Sequence, residues 1–219
     1  MALRVEAVPV GAFQANAYLL IDDATQRAAI VDPGAEGDAL GARLAGQGVM
    51  LESIWITHGH LDHVGGIAGV RRAFPDAPVW LHAADRPLYD NVMAHARRYG
   101  IPMEQPPEPD HTWVEDDVVS IGAHAFRIVH LPGHAPGHVA LVGTSEVFIG
   151  DVVFAGSIGR TDLPLCDPAA MQRSLARVTA WPPHLVLHPG HGPSTTVGVE
   201  VQTNPFLAGM ARPRGAGLG

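Results

Sequence analysis

Between Thr57 and Gly66 the chain reads THGHLDHVGG, with three histidines and an aspartate inside six consecutive residues. On an α-helix, residues two apart point to nearly opposite sides, whereas in extended backbone they share a side. His58 and His60 can therefore converge only in an extended or looped segment. This separates the pattern from the helical HExxH arrangement, whose ligands are four apart. Asp62 and His63 fall where such a loop would turn into a helix. A site begun this way needs further side chains from distant parts of the chain, so it dictates a fold that gathers several loop ends at one place.

The rest of the sequence supplies such ends. Short apolar runs recur at 17–21 (AYLLI), 28–31, 53–57 (SIWIT), 77–82, 126–131 (FRIVHL), 138–142, 146–150 (EVFIG) and 184–188 (HLVLH). They read as buried strands. Helical patterns lie between them. Leu40 and Leu44 mark a short helix stopped near Gly46 and Gly48. Val64, Ile67 and Phe74 suit a second that starts at the histidine cluster. Asp167 as N-cap and Pro168 at the first helical position open a third, with Met171, Leu175 and Val178 as its inner stripe and Pro182-Pro183 ending it. Alternating strands and helices indicate an α/β class. Directly after four of the strands come His58, His60, Asp62 and His63; His134 and His138; Asp151; and His191. In open α/β sheets, ligands bind beyond the carboxyl ends of strands.

Composition narrows the function classes. The chain has 219 residues, 47% of them hydrophobic, enough for one large domain. No apolar run reaches the ~18 to 20 residues that cross a bilayer, and the N-terminus lacks the pattern of a signal peptide, so a cytoplasmic location without membrane attachment is expected. A single cysteine, Cys166, excludes an intramolecular disulfide and a thiolate zinc cage. The net charge of −8 argues against nucleic acid as the main partner. The expected partner is a small molecule, and the oligomeric state is not legible. Residues 83–117, a helical stretch followed by proline-dense IPMEQPPEPD, read either as an insertion lying over a pocket as a lid or as an ordinary connection. One domain is expected over 1–207, with a Gly- and Arg-rich tail at 208–219.

Taken in order, VDPG at 31–34, THGHLDHVGG, LPGHAPGH, GDVVFAGSIGRTDLP at 150–164, HPGHGPSTT and TNPF resemble the metallo-β-lactamase fold superfamily. Within it the chain looks most like the short glyoxalase II-like hydrolases, and the resemblance covers nearly the whole chain. It implies an αββα sandwich of two mixed sheets flanked by helices. It also implies a dinuclear site in which His58, His60 and His134 hold one divalent metal ion, Asp62, His63 and His191 hold the other, and Asp151 bridges. Imidazole and carboxylate donors without sulfur suit zinc and also admit iron or manganese. Such a site activates water for attack on a carbonyl. Asp62 would be the catalytic residue that orients that water. A thioester such as S-lactoylglutathione suits it, because a thiolate leaves without needing a proton. In larger glyoxalase II enzymes the loop matching GRTD carries a lysine that contacts glutathione; Arg160 stands in the similar place, and Asp162 where that loop has a tyrosine. Only 28 residues follow His191, so the helical domain that completes glutathione recognition in those enzymes is not expected here.

Other readings compete. Persulfide dioxygenases of this fold share GRTD but use one iron, whereas HPGHG is the form seen in dinuclear hydrolases. A lactonase or esterase of the same fold, and a silent metal-binding scaffold, also fit. His82, His95, His111, His124, His130 and His184 read as ordinary residues, His138 and His188 as plain structure or as hydrogen-bond partners of the ligands. Asp32 and Gly34 read as a tight turn bracing the ligand loops, and Cys166 as a small residue at a loop–helix junction.

Overall fold

The computed structural model describes residues 2–209. The first half of the chain forms one six-stranded sheet, β1 (Leu3–Val10), β2 (Ala15–Asp22), β3 (Arg27–Val31), β4 (Met50–Trp55), β5 (Val79–His82) and β6 (His111–Trp113), hydrogen-bonded in sequence order. The β1–β2 and β2–β3 pairs are antiparallel and the rest parallel. Helices α1 (Gly37–Gly46), α2 (Leu61–Val64), α3 (Ile67–Ala73), α4 (Arg86–Asp90) and α5 (Val92–Tyr99) connect these strands. The second half adds β7 (Val118–Ile121), β8 (His124–His130), β9 (Val139–Val142) and β10 (Glu146–Gly150). A small ribbon, β11 (Val153–Phe154) and β12 (Ser157–Ile158), helix α6 (Pro168–Thr179), β13 (Val186–Pro189), β14 (Thr195–Thr196) and α7 (Val197–Thr203) follow. The second sheet runs β14-β13-β10-β9-β8-β7, with only β10 and β13 parallel.

Period-two alternation explains the layering. On β2, Ala17, Leu19 and Ile21 pack with Leu40 and Leu44 of α1 and Ile67 and Val70 of α3, while Tyr18 and Leu20 face the other way. On the second sheet, Val129, Ala140, Val147 and Ile149 pack under Met171, Leu175 and Val178 of α6, while Ile128, Leu141 and Phe148 turn inward. The inward sets meet as one core between the sheets. Tyr18 lies edge-on to Phe148 with ring centres 5.3 Å apart, and Trp55 edge-on to Phe126 at 5.6 Å. The order is helix, sheet, sheet, helix. Strands buried on both faces become near-continuous apolar runs, which is why they are conspicuous in the sequence.

Local departures from the expected pattern have physical causes. The helix expected after the histidine cluster is broken into α2 and α3 at Gly65-Gly66. A Cβ on Gly66 would lie 2.6 Å from the Pro33 carbonyl oxygen, so the break lets the VDPG turn pack directly on the ligand loop. Helix α6 begins as expected, the Asp167 carboxylate accepting from the Ala169 and Ala170 amides at 2.9 and 3.0 Å, but ends at Thr179 before the prolines. Residues 83–117 hold α4 and α5, and their proline-dense part, tied by the Tyr89 hydroxyl to the Pro107 carbonyl at 2.6 Å, leads into β6. Of the expected tail, residues 210–219 lie outside those described. Among the described residues no helix is long and apolar enough to cross a membrane.

Candidate metal centre

Each expected ligand leaves the carboxyl end of a strand. His58 and His60 follow β4, with Asp62 and His63 on the short α2; His134 follows β8, Asp151 follows β10 and His191 follows β13. The first four come from one sheet and the last three from the other. The structure brings all seven together. The ligand atoms of His58, His60 and His134 lie within 4.8 Å of one another, as do those of Asp62, His63 and His191. Asp151 lies between the sets: its Oδ2 is 3.4 Å from His134 Nε2 and 3.6 Å from His191 Nε2, and its Oδ1 is 3.5 Å from His63 Nε2.

The polar atoms facing the centre fit divalent cations. His58 Nε2, His63 Nε2 and Asp151 Oδ1 are buried without a hydrogen-bond partner among the described residues. Buried polar atoms are rarely left so, because each costs a desolvation penalty. Burial, and after it the neighbouring imidazoles, holds His58 and His60 well below the usual histidine range, so these rings are neutral, the form that binds a metal. His63 behaves oppositely. Burial works against its charge, but Asp151, Asp62 and Asp32 outweigh it and push the imidazole up to about 10. Burial likewise opposes Asp62 ionisation, yet His63 and a hydrogen bond from His191 draw its carboxyl far below the usual range. Carboxylates so concentrated around one ring call for positive charge.

The far nitrogens of the rings fix their orientation. Asp32 accepts from the Thr57 amide (2.7 Å), the Thr57 hydroxyl (2.6 Å) and His63 Nδ1–H (3.0 Å). With its proton committed to Asp32, Thr57 Oγ1 accepts from His58 Nδ1–H at 3.1 Å. One carboxylate thus aligns a ring in each set. The VDPG turn is therefore more than the brace read from sequence; Asp32 sits in left-handed backbone, φ +49°, to reach both. His134 Nδ1–H donates to the Arg160 carbonyl at 2.8 Å, and the Cys166 thiol, half-buried at the loop–helix junction, donates to the His134 carbonyl at 3.0 Å. His138 Nε2 accepts the Asp151 amide at 2.9 Å and its ring stacks on His58, which makes it a support of two ligands. His188 binds the Ser194 hydroxyl and Glu146, steadying the loop that carries His191.

Sequence reading missed three contributions. Asp85, fully buried, accepts from the amides of Gly59 (2.8 Å) and Gly137, clamping the loop between His58 and His60 to the one after His134. Asn16 donates to the Pro189 and Gly192 carbonyls at 3.0 and 2.8 Å, holding the His191 loop from β2. A polar residue inside the apolar run ANAYLL is the signal that could have revealed it. The third lies above the centre, where a cleft of about 340 Å³ opens over His60, Asp62, Asp151 and His191. Its walls include Arg160 and also His95, Arg98 and Tyr99 of α5. His95, read as ordinary, thus borders the cleft. The Arg160 guanidinium pairs with Asp162 at 2.8 Å while edging the same space.

The model of the metallo-beta-lactamase superfamily matches residues 10–191, from β1 through the last of the seven side chains. The chain belongs to the metallo-beta-lactamase superfamily. Among its members, it is 36% identical to the hydroxyacylglutathione hydrolase GloC of Haemophilus influenzae over 94% of this chain and 98% of that one. It is also 36% identical to the probable metallo-hydrolase YqgX of Bacillus subtilis over 95% and 100%. The solved structure of TTHA1623 in a di-iron-bound form aligns with a TM-score of 0.85 at 43% identity, covering 93% of this chain and 100% of that one. BLEG-1 B3 metallo-beta-lactamase aligns with a TM-score of 0.86 at 35% identity, covering 93% and 99%. Membership of this superfamily, with the convergent histidine and aspartate clusters, supports a metal-dependent hydrolase that uses divalent ions.

Proposed function

We propose that the protein hydrolyses a small thioester, S-lactoylglutathione or a related acyl-thiol, at a dinuclear site. His58, His60 and His134 would hold one ion, Asp62, His63 and His191 the other, and Asp151 would touch both. The observation that carries the reading is the position of Asp151 between the two sets, with Asp62 ionised beside it. Divalent ions at such a site supply Lewis acidity and a water of lowered pKa. The chain does the rest. Asp62, held as a carboxylate, accepts a hydrogen bond from the O–H of the attacking oxygen and aims that oxygen at the carbonyl carbon. A C–O bond forms, the C–S bond breaks, and the thiolate departs without a proton. A thiolate leaves unprotonated whereas an amine must take up a proton as it departs, which favours thioesters and activated esters over amides. The likeness to GloC supports the glutathione thioester in particular, and zinc and iron both suit the donor set.

The test is hydrolysis of S-lactoylglutathione by protein loaded with zinc or iron, followed as loss of thioester absorbance, with Asp62→Ala as control. Turnover that disappears in the variant supports the reading. Absence of turnover at full metal occupancy overturns the substrate and directs attention to lactones and other esters.

A further inference from the structure

The chain contains no lysine, so its positive side chains are arginines and histidines. Each described arginine other than Arg97 and Arg98 forms an ion pair with a carboxylate. These two have none among the described residues, in a chain of net charge −8. Both sit in the last turn of α5, where a cation favours the helix carbonyl end. That accounts for a positive residue but not for where Arg98 is placed: it lines the cleft over the metal centre, as does Arg160 from the loop after β12. Beside Arg98, Tyr99 meets Phe13 edge-on with ring centres 5.8 Å apart, both rings largely exposed (56% and 41%). The same cleft is also lined by apolar Leu88, Phe154, Ile158 and Leu163. Apolar walls and an unneutralised guanidinium in one cleft suit a ligand with an uncharged part and an anionic end.

We propose that Arg98 is a specificity-determining anion subsite, and that the thiol half of the substrate carries a carboxylate or phosphate that docks there while its aliphatic arm lies against Phe13 and Tyr99. This rests on the thioester reading and goes beyond it, because it assigns the charge of the leaving group and the residue that selects it.

The experiment compares three thioesters sharing the lactoyl group: S-lactoylglutathione with carboxylates, S-lactoyl-coenzyme A with phosphates, and S-lactoyl-N-acetylcysteamine, which is neutral. The expected result is a kcat/KM at least tenfold higher for an anionic substrate than for the neutral one. Arg98→Gln lowers that value about tenfold through KM, leaves the neutral substrate unchanged, and is partly rescued by Arg98→Lys. Which anionic ester is preferred identifies the anion. Calorimetric titration of S-methylglutathione and of desulfo-coenzyme A into the metal-free protein gives a readout apart from turnover, and the preferred class should bind more weakly to the Arg98→Gln variant. Equal rates for charged and neutral esters, or an equal loss on both in Arg98→Gln, would overturn the subsite and leave the thioesterase standing. Hydrolysis of none of the three at full metal occupancy would overturn both.

Discussion

Asp32 and His63 meet at 3.0 Å, carboxylate Oδ2 to Nδ1–H, and through that contact the turn after β3 aims a ring carried by the short helix α2. The same carboxylate also takes both donors of Thr57, so both of its oxygens are engaged. Asp32→Asn puts an amide NH2 against at least one of these donors. Partners of this kind are worth about 10–100-fold in metal affinity when lost. The expected outcome is a drop of that size in affinity, read by competition with a chromophoric chelator. Unchanged affinity would reduce Asp32 to a turn residue.

Asp85 gives a prediction about pH. Burial, outweighing the two backbone donors it accepts from, pushes its carboxyl up to about 6. The folded protein therefore holds this proton more tightly than the unfolded chain, for which the carboxyl titrates near 3.8. The stabilisation is complete below that lower value and is lost as pH rises through 6, a change of about 3 kcal/mol. Comparison of urea unfolding for wild type and Asp85→Asn between pH 4 and 7 should show wild type losing ground to the variant. Parallel curves would contradict the buried ionisation.

Gly190 separates Pro189 from the ligand His191. A Cβ there would lie 2.0 Å from Asp151 Oδ1 and 2.7 Å from His63 Cε1. No rotation of a methyl relieves that, so Gly190→Ala must displace Asp151. Metal analysis should find fewer ions per chain in the purified variant than in the wild type. Full occupancy would show that the loop yields.

Phe148 tests the packing between the sheets. It is fully buried, touches Tyr18 and Phe126, and stacks on His188. Phe148→Ala is expected to cost about 3–5 kcal/mol, the usual range for an aromatic cavity. Denaturant unfolding of the metal-free protein at unchanged m-value would show it.

Strands buried on both faces and ligands placed just after them were open to sequence reading, since each needs only local pattern. The short edge and ribbon strands β6, β7, β11, β12 and β14 were not. They have two to four residues, several exposed, and form because a partner strand is already present. The supports of the site divide the same way. His138 stood beside a ligand and could be suspected of helping one. Asp85 could not, because its partners Gly59 and Gly137 lie 26 and 52 residues away and nothing in HAAD announces them. Arg98 shows itself only when the pairing of the other arginines is known.

The division of the ligands between the sheets has a consequence for how such a molecule can change. His58, His60, Asp62 and His63 belong to the first half of the chain and His134, Asp151 and His191 to the second. Neither half owns a complete centre. A drift in how one half sits on the other, even from substitutions far from any ligand, must register as a change in the spacing of Asp151 from His63. The α5 wall of the cleft carries none of the seven side chains, although Val92 ties it into the core of the first half. A substitution on that wall, at His95, Arg98 or Tyr99, can change what fits the cleft without any change among the seven side chains themselves.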